Sequence, residues 1–243
     1  MKYPFLERIR DLYARLLFPQ TCIVCGAFSE SACPLCACCM EKRFIQITRS
    51  LSFSTADPDR CAKCGRPLIS ARELCTACRA LPLFSAIDRI ITLFPYTGAG
   101  TELLAAWKIN GMRSLSRPFA QLLSAVLECS SIPLVPVPPR PGKIREKGWD
   151  QIEELARILE RSHGKTVLRC LRRTGGVQQK KLGKAGRSGN LKGYIEIIAG
   201  MVLPETVIII DDLMTTGSTL DACAGILKSA GCRKVYGLTL FFD

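Results

Sequence analysis

The stretch VIIIDDLMTTGSTLDACAGILKSAG, residues 207–231, constrains the fold of this chain more than any other part of it. It begins with an uninterrupted run of β-branched apolar residues, which is typical of a strand buried on both faces of a parallel sheet. Two acids and a hydroxyl-rich turn follow, and then a segment with helical spacing that Gly231 would close. The order strand, loop, helix predicts one unit of an α/β fold.

The chain from about residue 85 onward alternates in the same way between strand-like and helix-like segments. The predicted strands are 88–96, 132–139, 165–171, two pieces within 196–211, and 234–241. The predicted helices are 100–109, 115–128, 150–163 and 220–231. Asp150 is the expected N-cap of the third helix, and Glu153 stands at the capping-box spacing. Because the strands are apolar throughout, we expect a parallel sheet covered on both faces.

Cysteines dominate the first third of the chain, where ten of the 14 lie before residue 80. They form Cys-x-x-Cys pairs, and each such turn provides two of the four thiolates of a tetrahedral zinc site. Gly26 and Gly65, each directly after a pair, permit the left-handed backbone that these turns often need. Four pairs suffice for two zinc sites. The predicted ligands are Cys22, Cys25, Cys36, Cys39, Cys61, Cys64, Cys75 and Cys78.

The spacing leaves some points open. Cys33 with Cys36 has the same spacing as Cys36 with Cys39, and the sequence does not show which pairs share a metal. An iron–sulfur cluster is an alternative to zinc. Disulfides are disfavoured because no secretory signal is visible, which also predicts a cytoplasmic protein.

Residues 1–18 have apolar residues at helical spacing and predict a short amphipathic helix. Such a helix could dock on the body of the protein or lie on a membrane surface. We expect no integral membrane segment, because no stretch is long and apolar enough.

The remaining titratable residues give weaker signals. We expect the later cysteines to be small buried apolar residues, namely Cys129, Cys170, Cys223 and Cys232. His163 is the only histidine and lies near a helix end, so a capping or surface role is expected. A single histidine so placed disfavours catalysis by a Ser-His-Asp or Cys-His arrangement.

The acids Asp211 and Asp212 would lie beyond the carboxyl end of a buried strand, where parallel sheets bind ligands. The backbone N–H groups of Thr215–Thr219 and of the next helix would form an anion cradle. Carboxylates accept hydrogen bonds from sugar hydroxyls or hold Mg²⁺. The pattern therefore predicts a sugar-phosphate site, with a merely capped helix start as the plainer alternative. The net charge of +13 suits an anionic partner, although solubility alone would also explain it.

The segment VIIIDDLMTTGSTL resembles the signature with which type I phosphoribosyltransferases bind 5-phosphoribosyl-1-pyrophosphate (PRPP). Three more segments and the cysteine pairs resemble the ComF family, which is associated with bacterial DNA uptake and competence. These segments are YTGAGTELLAAWKINGMR, VPVPPRPGKIREKGWDQ and QKKLGKAGRSGNLKGY, so the resemblance covers nearly the whole chain. Lys147, Trp149 and Asp150 depart from the Arg, Phe and Asn that are usual in the second of these segments.

The resemblance implies a Cys-rich zinc-binding domain (19–80) and a Rossmann-like phosphoribosyltransferase domain (85–243) after the N-terminal helix. It implies that Asp211 and Asp212 bind the ribose hydroxyls or assist proton transfer. The implied 5′-phosphate ligands are Thr215, Thr216, Gly217, Ser218 and Thr219. The implied pyrophosphate ligands, which act with Mg²⁺, are Lys108, Arg145, Lys147 and Arg187. The last of these lies in the glycine-rich basic segment 172–190.

The implied function is phosphoribosyl transfer from PRPP to an acceptor such as a nucleobase, in a protein with structural zinc. A different class of function is a non-catalytic competence factor that senses PRPP or binds single-stranded DNA. An adaptor for DNA-uptake or recombination proteins is a third reading. The sequence does not identify the acceptor.

Overall fold

The structure is a computed structural model that describes residues 20–29, 33–51, 53, 57–69, 72–80, 84–174 and 195–243. The predicted N-terminal helix (1–18) lies outside the described residues. So does most of the basic segment 172–190, including Arg187.

The elements of the described part follow the predicted alternation. The strands are β1 (Gln20–Thr21), β2 (Phe28–Ser29), β3 (Arg89–Pro95), β4 (Leu134–Pro136), β5 (Leu171–Arg173), β6 (Ile195–Ile197), β7 (Thr206–Met214) and β8 (Lys234–Phe242). The helices are α1 (Ala37–Cys39), α2 (Gln46–Arg49), α3 (Thr76–Ala80), α4 (Ala99–Lys108), α5 (Ser116–Val126), α6 (Lys143–Lys147), α7 (Gln151–His163) and α8 (Ser218–Ser229). One wide π-helical turn, Met40–Ile45, joins α1 to α2, and a 3₁₀ turn, Arg113–Leu115, precedes α5.

A four-stranded parallel sheet in the order β3–β8–β7–β4 forms the centre, which confirms the predicted α/β architecture. β7 is longer than predicted. It continues through Met214 because its pairing with β8 persists beyond Ile210, with Asp211 opposite Thr239 and Leu213 opposite Phe241. The two acids therefore belong to the strand itself rather than to the loop after it.

Both faces of the sheet are covered, as predicted for all-apolar strands. One face packs against α4, α5 and α7, with Trp107, Phe119 and Leu155 fully buried there. We call this the three-helix face. The opposite face packs against α8 and the antiparallel pair β5–β6, with Cys223 and Leu171 in its core. We call this the α8 face.

The two halves of the Cys-rich part lie on opposite faces of the sheet. The first cysteine region, which is the described part of residues 20–51, packs on the three-helix face, where the rings of Phe44 and Phe94 are 4.9 Å apart. The second cysteine region, which is the described part of residues 57–80, packs on the α8 face, where Cys61 and Cys64 are buried. Whether 19–80 and 85–243 are separate domains stays a prediction.

The second cysteine region also covers the open edge of the sheet at β3. The backbone N–H of Ile90 donates to Lys63 O at 2.9 Å, and Arg60 Nη1 donates to Thr92 O at 2.6 Å. Gly65 makes this approach possible, since a Cβ there would lie 2.4 Å from Ile90 O. Covering an edge strand in this way removes a row of unpaired backbone groups that could pair with another chain.

Some local predictions are confirmed and others are wrong. Asp150 caps α7, because its Oδ1 accepts from the N–H groups of Ile152 and Glu153 at 3.0 and 2.9 Å. Glu153 Oε1 instead accepts from Arg157 Nε at 3.1 Å and Arg169 Nε at 2.9 Å, so its carboxylate faces basic side chains.

The predicted strand 165–171 is wrong over most of its length. It is reduced to a single bridge from Val167 to Leu134, and β5 starts only at Leu171. Of the four later cysteines, Cys129 is exposed, and the other three are buried as expected. Within the described residues, no helix has the length and apolar character to cross a membrane.

Candidate functional site

Asp212 lies at the centre of a polar network near the carboxyl end of β7. Its side chain is only 7% exposed, and its Oδ2 lies 2.7 Å from Nζ of Lys108, the last residue of α4. The same oxygen accepts a hydrogen bond from Gln151 Nε2 at 2.9 Å. A predicted ligand-binding acid and a predicted ligand-binding lysine are thus brought into direct contact from two different elements.

Gln151 is held in one orientation by a second lysine. Lys143 Nζ donates to Gln151 Oε1 and to Asp150 Oδ2, both at 2.6 Å. The amide oxygen of Gln151 therefore faces the lysine and its amide nitrogen faces Asp212. A continuous chain of charge-assisted contacts links α6, α7, β7 and α4.

Sequence reasoning did not assign a role to Lys143 or Gln151. In the KIREKGWDQ segment, the predicted ligands were two other basic residues, Arg145 and Lys147. Both are exposed on α6, and within the described residues neither takes part in the network around Asp212. No local pattern distinguishes Lys143 from them, because its partners lie seven and eight residues further along the chain.

Asp211 faces the other side of the sheet, because successive strand residues point in opposite directions. Its charge acts on Cys223 of α8, and Arg173 of β5 acts on it in turn. Burial raises the pKa of Asp211 to about 7, and the negative charge of Asp212 adds to this rise. The two neighbouring acids therefore lie in different surroundings.

The row of residues beside Asp211 is also polar. Thr239 of β8 is in register with Asp211, and Thr92 of β3 is in register with Thr239. Both threonine hydroxyls are buried and have no hydrogen-bond partner among the described residues. Buried polar groups without a partner are uncommon, so the two hydroxyls make this part of the α8 face unusual.

We call residues 215–219 the α8 loop. They lead from β7 into α8 through Gly217, which has φ +73° and is the N-cap of the helix. Thr215 and Thr216 are exposed, and Thr216 Oγ1 is hydrogen-bonded to Ser218 Oγ at 3.0 Å. Glycine has no side chain to cap the helix, and Thr216 Oγ1 accepts only from the N–H of Ser218, at 3.4 Å. The N–H groups of Thr219 and Leu220 in the same turn can therefore face an anion. Thr219 lies in that first turn and is partly buried.

The eight predicted metal ligands form two groups, Cys22/Cys25/Cys36/Cys39 and Cys61/Cys64/Cys75/Cys78. Within each group all four Sγ atoms lie within 4.8 Å of one another. Each site is thus built from two consecutive pairs, and Cys33 is in neither group. The pairing that the sequence left open is decided by the fold of the chain.

The geometry of both groups fits zinc. The Cys25–Cys36 and Cys64–Cys75 Sγ distances are 3.8 and 3.7 Å. A Zn–S bond of about 2.3 Å implies about 3.8 Å between sulfurs of a regular tetrahedron. Gly26 and Gly65 both have φ +71°, the left-handed backbone expected after a Cys-x-x-Cys turn.

Backbone hydrogen bonds favour the thiolate at one cysteine of each group. Burial opposes ionisation of Cys22, yet N–H groups of Cys36, Cys25 and Val24 lower its pKa to about 6. Burial likewise opposes ionisation of Cys61, and the N–H groups around it lower its pKa to about 7. Burial raises the pKa of Cys39, Cys64 and Cys78 in the same groups, so these thiols would give up their protons only when a cation binds.

A separate groove of about 690 Å³ lies between the first cysteine region and helices α5 and α7. Its lining includes Met40, Arg117 and His163. His163 is the last residue of α7, which agrees with a place at a helix end, and burial lowers its pKa. The groove lies apart from Asp212 and the α8 loop.

The chain is similar in sequence to a known bacterial protein. No protein-family model matches the chain. The chain is 24% identical over 193 residues to a protein of Streptococcus pneumoniae named competence protein ComFC. The alignment covers 78% of this chain and 83% of that relative, so the similarity extends over most of both proteins.

Proposed function

We propose that this chain is a PRPP-binding, phosphoribosyltransferase-like protein of the ComF family, with a role in bacterial DNA uptake. The similarity to a competence protein supports the family. The main support for PRPP as the ligand is the position of Asp212. This residue lies in β7, three residues before the hydroxyl-rich loop Thr215–Thr219. In this proposal the carboxylate and the anion cradle receive the two ends of one sugar phosphate.

In this proposal Asp212 binds the ribose hydroxyls, and the α8 loop binds the 5′-phosphate. Asp212 is preferred to Asp211 as the ribose ligand because its carboxylate contacts Lys108, a second predicted PRPP ligand, at 2.7 Å. Lys108 is 40% exposed while it contacts Asp212, so it can also reach a bound phosphate. Arg145 and Lys147 are exposed and would meet the pyrophosphate from α6.

The proposed reaction is a substitution at C1 of the ribose. The bond from C1 to the pyrophosphate oxygen breaks, and the electron pair leaves with pyrophosphate. A bond from C1 to a nitrogen of the acceptor forms, and the proton which that nitrogen carried passes to water. Catalysis would rest on positioning and on cationic side chains that stabilise the leaving group.

Magnesium is part of the proposal only as an ion that PRPP brings with it. Among the described residues, the two cysteine groups are the sets of three or more metal-binding side chains that converge. Asp212 Oδ2 already contacts Lys108 and Gln151. The described residues thus offer no converging set of three or more carboxylates that would hold Mg²⁺.

Titration calorimetry with PRPP and Mg²⁺ tests the proposal. Asp212→Asn is expected to weaken PRPP binding at least 10-fold. It removes the negative charge that pairs with Lys108 and would accept hydrogen bonds from the ribose diol. Asp59→Asn, at an exposed position of the second cysteine region, is the matched control and should bind as the wild type does. Equal affinity of Asp212→Asn, or no binding by the wild type, would show the proposal to be wrong.

A non-catalytic competence factor that binds single-stranded DNA is the second candidate. The relative's name, the net charge of +13 and the exposed Arg140, Arg145 and Lys147 favour it. Release of pyrophosphate from PRPP with nucleobase acceptors would support the enzyme. A salt-dependent shift of labelled single-stranded DNA without pyrophosphate release would support the binding factor.

A further inference from the structure

The second cysteine region makes direct contact with the α8 loop, the predicted phosphate-binding segment. Arg66, two residues after Cys64, donates from Nη2 to Thr215 O at 2.8 Å. The Nε of Arg66 is buried and has no hydrogen-bond partner among the described residues. The guanidinium therefore holds the backbone of the loop and keeps one donor unused.

Phe84, which follows the second cysteine region in the sequence, packs against the same loop. A Cβ on Gly217 would lie 2.2 Å from Cε1 of Phe84, so the ring lies directly on the loop backbone. Asp221 in the first turn of α8 fixes the residues that follow Phe84. Its carboxylate accepts from Ser85 Oγ at 3.0 Å, Ala86 N at 2.8 Å and Ile87 N at 3.0 Å.

The metal-binding sulfurs lie next to these contacts. Cys64 and Cys78 line a small cavity of about 20 Å³ together with Met214, Thr215 and Thr216. The first cysteine region, by contrast, packs on the opposite face of the sheet. One cysteine group is thus built into the wall of the α8 loop, and the other provides an internal control.

We infer that Arg66 and Phe84 are positioning residues that set the shape of the α8 loop, and that metal in the second cysteine group is thermodynamically coupled to anion binding there. This inference rests on the proposed function. Metal fixes the Cys64-Gly65-Arg66 turn, which presents the guanidinium to Thr215 O. Coupling of this kind is reciprocal, so a bound phosphate must also stabilise the metal in the second group.

Cysteine alkylation during zinc release measures the coupling at both groups in one sample. Wild-type protein is mixed with a zinc indicator and iodoacetamide, with and without saturating PRPP and Mg²⁺, and the labelled peptides are mapped by mass spectrometry. We expect PRPP to slow labelling of the group Cys61/Cys64/Cys75/Cys78 by about 5-fold or more. Labelling of Cys22, Cys25, Cys36 and Cys39 should not change.

Substitution of Arg66 gives the second measurement. Arg66→Ala is expected to weaken PRPP binding about 10-fold, to retain two zinc ions per chain, and to abolish the protection of the second group. Arg66→Lys should restore part of the affinity. Arg79→Ala is the matched control, since Arg79 lies in the same region and its side chain bonds only to that of its neighbour Thr76 among the described residues.

The outcomes separate this inference from the function on which it rests. Equal protection of both groups, or unchanged PRPP affinity of Arg66→Ala, overturns the coupling and leaves PRPP binding intact. A wild type that binds no PRPP overturns the proposed function, and the coupling with it.

Discussion

At the scale of residues, two adjacent aspartates have acquired different surroundings. Asp212 lies on the three-helix face and is paired with Lys108 and Gln151. Asp211 lies on the α8 face beside buried threonine hydroxyls, and burial raises its pKa to about 7. Alternation along a strand is the physical cause, because it sends neighbouring side chains to opposite sides of a sheet.

The raised pKa of Asp211 predicts a pH-dependent stability. An aspartate that is more basic in the folded state binds protons preferentially there, so its contribution to folding declines as pH rises towards 7. Between pH 5.5 and 8 this loss is about 2 kcal/mol, or roughly 4–8 °C in melting temperature.

Asp211→Asn removes the titrating group. The melting temperature of the wild type should therefore fall relative to that of Asp211→Asn over this range, as followed by thermal unfolding at both pH values. Parallel changes in the two proteins would contradict the prediction.

At the scale of elements, the N-termini of α7 and α8 differ in how they are capped. The carboxylate of Asp150 closes the first turn of α7 with hydrogen bonds to two N–H groups. Gly217 leaves the first turn of α8 without a side-chain cap. An open helix N-terminus retains N–H groups and a positive dipole end that can meet an anion. This contrast supports α8 as the place of the phosphate in the proposed PRPP site.

A substitution at Gly217 tests the structure of that loop. Gly217→Ala forces an L-residue to adopt φ +73° and brings a methyl group into Phe84, so it should destabilise the fold by about 1–2 kcal/mol or more. Gly225→Ala in the same helix meets only an ordinary contact at 3.7 Å and should stabilise by about 0.5–1 kcal/mol. Denaturant unfolding of both variants gives the comparison. A tolerated Gly217→Ala would show that the loop and Phe84 are not packed as described.

At the scale of the whole molecule, the Cys-rich part extends around the edge of the sheet. Its first region packs on one face, and its second region packs on the other. Lys63 and Arg60 of the second region also cover the backbone of β3. The cysteine groups are therefore positioned to stabilise the sheet as well as the loops that carry them.

Removal of zinc should expose the β3 edge selectively. The N–H of Ile90 is protected by Lys63 O, which belongs to the turn between Cys61 and Cys64. After chelation, a peptide that spans β3 is expected to exchange its amide hydrogens at least 10-fold faster, and added zinc should restore protection. β7, which is paired on both sides, is the internal reference. Unchanged exchange in β3 would show that the edge does not depend on the metal.

Much of the fold could be predicted from local patterns in the sequence. The run Val207–Ile210 indicated a strand covered on both faces, and Asp150 indicated the start of α7. The strand predicted at 165–171 was wrong because its apolar residues pack beside the sheet with only a single bridge at Val167. Periodicity reports burial, and burial does not by itself establish strand pairing.

What the sequence determined by itself is the chemistry that is available: four Cys-x-x-Cys pairs, a buried strand with two acids, and a hydroxyl-rich loop before a helix. These are local features, set by spacing and by the preferences of a few successive residues. Tertiary structure alone decided that Cys36 and Cys39 complete the first group, and that Lys143 orients Gln151 towards Asp212. It also decided that Arg66, 149 residues before Thr215, holds the α8 loop. Contacts over such separations depend on how strands and helices stack, which no local pattern encodes.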